Sequence, residues 1–487
     1  MKQVFLILTL LLATTLGAWA YTPQQQAQRD AILSQITGAQ FQGELPQRSI
    51  LSFGAKGDGQ KDCKPAFDKA MKAAARSKKG MHIVVPAGTY RLCGPIHLVS
   101  NLCLELQEGA VLRFDARPEY YLPTVITSWE GTFCQNYSPF IYGFCLQNIA
   151  IIGRGTIDGD AAQTFAQWRK DQKPDQQLIR QYDHQETSVI DRKFGEGHLL
   201  RPHLLQLFGC NNVTLSDFFL TNSPFWCIHL LKCDNVICRA LRYDAKLVNN
   251  DGIDPEMTKN LLIEDIEFNN GDDNVAIKAG RDNDGWGGQG QRFDDPAMAP
   301  LQTLFTPSPS ENIIIRHCHF KGLHGVVIGS EMSAGVRNVF VEDCTYSGYL
   351  KRALFVKTNP NRGGFVHDIY FRDCEFDEVE DLFYITSMYA GEGLDDNHFS
   401  DVHDIHVEDI RCNKVNNAAI VLQGTEAKPL RNISFSNVVV KDCHIGFSSM
   451  NTEPVLLQNC HIGGQVTSAP STASQKDKVF DRAGEKK

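Results

Sequence analysis

Two aspartates stand side by side in "FNNGDDNVAIKAG", residues 268–280, between a glycine and a strand-like run. Asn, Gly and Asp all tolerate turn geometry, so a plain turn accounts for the doublet taken alone. Crowded carboxylates raise one another's proton affinity, and that allows one to act as an acid while another remains a base. Asp272 and Asp273 are candidates for such a division, with Asp251 in "NNDGIDPE" as a third member. His324 in "HGVVIGSE" adds a ring nitrogen, and Lys357 in "FVKT" adds a cation. Clustered carboxylates also suit calcium, which takes several oxygen ligands, but a histidine and a lysine in the same group make that use less attractive. Paired C-x-x-C spacing is absent, so no metal and no cofactor is expected.

A repeat must position these residues. Strings of the form Asn or Asp, apolar, any, apolar begin at residues 212, 235, 260, 312, 338, 368, 404 and 432, for example "NVTLSDFFL" and "NIIIRHCHF". Apart from one long insertion the period is roughly 23 to 30 residues, the signature of a solenoid. Apolar residues alternate with period two and turn residues punctuate the runs, which predicts short strands. The expected fold is all-β: a single-domain parallel β-helix with an N-terminal capping helix over "KPAFDKAMKAAARSKKG". Residues 159–200 and 281–311 break the period and are expected to be loops beside a binding cleft.

Alignment of the following strands, "WCIHLL", "DGIDPE", "DNVAIK", "HGVVIG" and "RALFVK", stacks Trp226, Asp251, Asp273, His324 and Arg352 in one outward column. A second column holds His229, Asp254, Ala276, Val327 and Phe355, and a third Glu256, Lys278, Gly329 and Lys357. The register therefore gathers the carboxylates, the histidine and the lysine on neighbouring coils.

Composition narrows the class. The chain has 487 residues, 42% of them hydrophobic, and a net charge of −9 without a dense basic block, which argues against a nucleic-acid partner. The opening "MKQVFLILTLLLATTLGAWA" has a lysine, an apolar run and a small-x-small ending, the pattern of a secretory signal peptide over residues 1–20. No later run approaches the roughly 18 apolar residues of a membrane span, so a secreted or periplasmic monomer without a membrane anchor is expected. The catalytic domain is expected over residues 21–465 and a disordered tail over 466–487. Among the 15 cysteines, Cys318, Cys344 and Cys374 share one repeat position, which suits stacked free thiols better than bridges.

"FGAKGDG" at 53, "VPAGTY" at 85, "LELQEGAVLRF" at 104, "GRGTIDG" at 153, "RPHLLQL" at 201, "NNDGIDPE", "GDDNVAIKAG", "HGVVIGSE" and "FVKT" together resemble the polygalacturonase-type enzymes of glycoside hydrolase family 28. The resemblance implies a right-handed parallel β-helix that hydrolyses α-linked galacturonic acid or related units in pectin, with inversion and without a metal. It implies Asp272 as general acid, Asp251 and Asp273 as holders of the attacking water, and His324 as a residue that tunes the cluster. Lys357 matches the lysine that binds a substrate carboxylate.

Two positions depart from the family pattern. Its Asn-Thr-Asp is Asn249-Asn250-Asp251 here, with Asn249 kept as a polar substrate-binding candidate, and its Arg-Ile-Lys is Phe355-Val356-Lys357. An aromatic ring stacks on a sugar but cannot pair with its charge. The sugar beyond the cleavage point is then expected to be neutral, or to be held by other cations such as Arg281, Arg352 or Arg362. Tyr384, one coil beyond Phe355, either extends an aromatic platform or simply packs. The leading expectation is an exo-acting galacturonosyl hydrolase. The alternatives are a rhamnogalacturonan- or xylogalacturonan-directed hydrolase, a pectate-lyase-like eliminase, and a non-catalytic carbohydrate-binding β-helix.

Overall fold

The residue that opens each repeat string explains its corner. Asn212, Asn235, Asn260, Asn312, Asn338, Asp368, Asp404 and Asn432 all have φ between 49° and 59°, a left-handed backbone that Asn and Asp tolerate better than other side-chain-bearing residues. Five residues on, Asp217, Asp265, Asp343, Asp373, Asp409 and Asn437 repeat the conformation. Each string is thus a short strand between two sharp corners. The corner amides also stack: Asn235 donates to Asn212 at 2.7 Å and Asn338 to Asn312 at 3.0 Å.

The computed structural model describes residues 21–292, 299–390, 397–463 and 465–467. Its strands form one 25-stranded sheet, one of six strands and a separate hairpin. One coil runs through Ile228–Leu231, Asp234–Arg239 and Arg242–Asp244. The next pairs with it in parallel register, Ile228 to Ile253, Val236 to Leu261 and Arg242 to Glu267. This is a parallel β-helix, right-handed as parallel crossovers nearly always are. Inward residues such as Val236, Cys238, Leu261, Ile263, Ile313 and Ile315 are fully buried in a continuous core, each large apolar side chain contributing roughly 1.5–3 kcal/mol. All 15 cysteines are unbridged; Cys318, Cys344 and Cys374 are buried in this core.

The expected capping helix spans Lys64–Arg76 and buries Ala66, Phe67, Ala70, Met71 and Ala74 in that core. A second helix, Pro23–Gln35, was not expected from the sequence. It lays Ile32 against the outward residues Leu262, Ile314, Phe340 and Tyr370, with Tyr21 and Ile36 from its flanks. Its sequence is mostly polar, but the capping box of Thr22 and Gln25 was a readable start signal.

The insertions are not plain loops. Residues 159–200 contain the helix Lys173–His184, and 281–311 contain the short helices Asp282–Trp286 and Ala299–Phe305. A hairpin of Val125–Trp129 and Thr132–Asn136 joins them. Buried Asp284 accepts from Phe133 N at 2.7 Å and Arg192 Nη1 at 2.6 Å, and Asn283 Nδ2 donates to Asp183 O at 2.9 Å. At the other end Gln465–Thr467 pairs with Cys460–Ile462. The expected signal segment 1–20 and residues 468–487 lie outside the described residues.

Candidate active site

The predicted columns are present. Asp273 pairs with His324, His324 with Arg352, and Arg352 with Asp381 along one ladder. Trp226 and Asp251 fall on the same column by extension of the pairing of Ile228 with Ile253 and of Ile253 with Val275. A cleft of about 610 Å³ opens over these coils and is lined by Asn249, Asp251, Asp272, Asp273, Arg281, His324, Arg352, Phe355 and Lys357, among others.

Asp272 and Asp273 differ because the chain turns between them. Gly271 is pressed so close to the Leu247 carbonyl that a Cβ would lie 2.4 Å from its oxygen, and this tight passage delivers Asp272 to the cleft side of the corner. Asp273 begins the strand Asp273–Ile277 and is 1% exposed. Its Oδ1 meets His324 Nδ1 at 2.6 Å, and its Oδ2 accepts from Lys357 Nζ at 2.9 Å. Burial opposes the Asp273 charge, but Lys357 and the His324 hydrogen bond outweigh it and hold the carboxyl well below its usual range. Burial and the adjoining Asp273 charge instead push Asp272 up to about 6. Asn249 Nδ2 lies 3.3 Å from Asp272 Oδ2, and Arg201 Nη2 fixes the same amide by donating to its Oδ1 at 2.7 Å.

Burial and the carboxylates Asp254 and Asp272 raise Asp251 well above the carboxylate range. Burial takes His324 down to about 4 against the pull of Asp273, so the ring is neutral near pH 7, donates from Nδ1 and keeps a lone pair on the buried Nε2. That Nε2 has no protein partner among the described residues.

Arg281 reaches the cleft and is tied to Asp282 and Glu331 at 3.4 and 3.7 Å. Arg362 lies beside it and bonds Asp282 at 3.0 Å. Phe355 is only 2% exposed, because the Arg352 guanidinium covers its ring at 4.4 Å from the centroid. Arg352 also covers Tyr384, at 4.2 Å, and Tyr384 meets the Phe355 ring edge-on at 5.5 Å. Tyr384 therefore packs beneath the platform and is not among the residues that bound the cleft.

The sequence reading placed Lys278 and Asp254 outward without giving them a task. Lys278 Nζ lies 3.3 Å from Glu331, 3.5 Å from Asp254 and 4.4 Å over the Trp226 ring. Glu130, Arg169 and Gln176 also line the cleft, brought there by the hairpin and the 159–200 insertion. No periodic signal marks them, since insertions carry none.

Asp272, Asp273 and His324 present ligand atoms within 4.8 Å of one another. Both Asp273 oxygens are engaged, however, and the Lys357 ammonium beside one of them would repel a divalent ion. The donor set is poor for a metal. With one carboxyl keeping its proton up to about pH 6 and one held ionised, the arrangement is fitted for acid–base attack on a bond placed between them.

Comparison with known proteins agrees with this chemistry. The sequence profile described as Glycosyl hydrolases family 28 matches residues 79–460, and one described as Rhamnogalacturonase A/epimerase, pectate lyase-like matches residues 47–105. The chain is 28% identical to a probable polygalacturonase from Vitis vinifera, over 80% of this chain and 74% of that one. It is 27% identical to an endo-polygalacturonase from Pectobacterium carotovorum, over 77% and 84% of the two chains. The crystal structure of a hyperthermoactive exopolygalacturonase from Thermotoga maritima superposes with a TM-score of 0.77 at 31% identity, covering 92% of this chain and 99% of the other.

Proposed function

Since this chain belongs to glycosyl hydrolase family 28, the polygalacturonase family, and is a glycoside hydrolase, we propose that it cleaves α-galacturonosyl linkages of pectin with inversion and from a chain end. Asp272 protonates the leaving oxygen, while Asp251 and Asp273 hold and activate the water that attacks the opposite face of the sugar. The observation that carries this division is the opposite displacement of two adjacent carboxyls, Asp272 toward its protonated and Asp273 toward its ionised form.

A uronate substrate fits the charge of the cleft. Its lining carries seven Lys and Arg (Arg169, Lys278, Arg281, Lys351, Arg352, Lys357, Arg362) against five carboxylates (Glu130, Asp251, Asp272, Asp273, Glu331), in a chain whose net charge is −9. Arg352 places a guanidinium over the Phe355 ring while pairing with buried Asp381 at 3.3 Å; together with the excess of cations in the lining this favours a uronate beyond the cleavage point over rhamnose.

Exo action is supported by the packing of the 159–200 insertion onto the coils before the carboxylate cluster. Trp129, Phe225 and Trp226 stack and pack with Ile179 of its helix, an arrangement suited to blocking the groove on that side. The Thermotoga maritima neighbour is itself an exopolygalacturonase. Residues 1–20 serve as a cleaved export signal and residues 21–465 as one catalytic unit acting as a monomer; no described helix is long and apolar enough to cross a membrane.

The test is digestion of homogalacturonan oligosaccharides with products resolved by size and the first-formed anomer read by proton NMR. Expected are short products from the earliest time points and the β anomer. Early internal oligomers would overturn exo action, and the α anomer would overturn inversion.

A further inference from the structure

A fourth carboxyl lies behind the cluster. Asp254 follows Asp251 by three residues, stands in register with His229 of the preceding coil and is 0% exposed. Both of its oxygens, and Oδ1 of Asp251, are shut off from solvent and accept no hydrogen bond from the described residues. The two carboxyl groups meet one another. Two ionised carboxylates in dry contact would carry an uncompensated charge that protein interiors do not tolerate. One cation, Lys278 Nζ, reaches Asp254 Oδ1 at 3.5 Å, and it is shared with Glu331. A single proton between the two groups satisfies the stranded oxygens.

We propose that Asp254 is a positioning residue of the hydrolytic machinery: it shares one proton with Asp251, so that the pair carries one negative charge, anchored by Lys278 at the Asp254 end. Asp254 touches no substrate and acts through Asp251. The site then consists of two carboxyl–carboxylate pairs on successive coils, Asp272 with Asp273 and Asp251 with Asp254. Each has a lysine at one member, Lys357 in the first and Lys278 in the second.

The surroundings leave this proton in place. The following coil faces the pair with Asp272, Asp273 and Lys278. On the preceding coil His229 is held neutral by burial, down to about 3, and its Nε2 is engaged by Glu256. Arg201 spends its charge on Asn249, and the Cys227 thiol and Tyr243 hydroxyl are pushed up by burial and stay neutral. Burial raises both members of the pair well above the carboxylate range.

The inference rests on Asp251 serving the attacking water, and its test compares Asp254→Asn with Asp254→Ala. Asparagine keeps a donor toward Asp251, but a weaker one whose proton cannot be shared, so the single negative charge of the pair is held less well. The acid limb of kcat/KM is then expected to move up by at least about one pH unit, with the optimum rate within about tenfold of the parent. Alanine removes the donor as well, and kcat is expected to fall about 100-fold with KM little changed. A purely structural role would lower melting in both variants and leave the pH profile unmoved; an Asn acid limb superimposable on the parent's overturns the proposal. Neutron diffraction from a parent crystal exchanged into D2O near neutral pH needs no variant. One deuteron between Asp251 and Asp254 supports the proposal, whereas none, or one on each, overturns it. Failure of the hydrolase reading would appear instead as a parent that forms no product from any pectic oligosaccharide, and the neutron map then still decides the shared proton.

Discussion

Two faces of the same solenoid share one ladder geometry and carry opposite chemistry. On one face the outward positions are Leu262, Ile314, Phe340 and Tyr370, sealed by the helix Pro23–Gln35. On the other they are Asp251, Asp273, His324 and Arg352, nearly as buried but ionisable. The coil thus supplies positions about 4.8 Å apart and leaves the side chains to decide what each face does. The sealed face stabilises through burial and contributes nothing to turnover. The catalytic face keeps charges in place by pairing them, which stabilises little in itself but leaves each group poised.

The sharpest way to break this contrast is at the acid. Asp272→Asn is expected to lower kcat on galacturonan by about 10³-fold, about 4 kcal/mol of transition-state stabilisation, while thermal melting stays near the parent's. A variant that melts early instead would make Asp272 a structural residue like those of the sealed face. Lys357→Met should come next. It leaves the buried Asp273 charge without its cation, a change expected to cost about 3 kcal/mol of stability by denaturant titration and to depress kcat as Asp273 takes up a proton.

Ile32→Asp tests the sealed face by placing a charge under the N-terminal helix, where Ile32 is 6% exposed. A stability loss of about 2–3 kcal/mol is expected, with kcat per folded molecule unchanged. If kcat fell with it, the two faces would be coupled. The smallest effect belongs to Phe355→Arg, which offers a second guanidinium where Arg352 already lies. KM for oligogalacturonides should shift by less than about fivefold, and a larger tightening would mean that Arg352 does not serve the uronate.

pH dependence sharpens the same picture. The raised Asp272 must hold its proton to act, so kcat should fall as pH rises through about 6, the value to which burial and Asp273 push it. The paired Asp273 stays ionised far below that point. The decline at high pH therefore belongs to the acid.

Much of this organisation could be read from the residues. Alternation and the recurring Asn or Asp gave the coils, because left-handed corners favour those residues, and one register error would have scattered the columns. Asp272, Asp273, Asp251, His324 and Lys357 meet for that reason. Residues that reach the cleft from outside the period were not legible: Glu130, Arg169 and Gln176 arrive on a hairpin and an insertion whose fold depends on contacts such as Arg192 with Asp284. For Tyr384 the platform and plain packing could not be told apart in the sequence, because the column gives its position and not what covers it, and Arg352 covers it. The N-terminal helix was missed because a single stripe of Ile32, Leu33 and Ile36 is too thin to stand out among polar residues.

The division of labour between Asp272 and its neighbours is tested most directly with a galacturonoside whose leaving group needs no proton. On p-nitrophenyl α-galacturonide, Asp272→Asn should recover most of the parental rate, while Asp251→Asn and Asp273→Asn should remain nearly inactive, because they still lack the means to activate water. Equal impairment of Asp272→Asn on this substrate and on galacturonan would contradict its assignment as the acid.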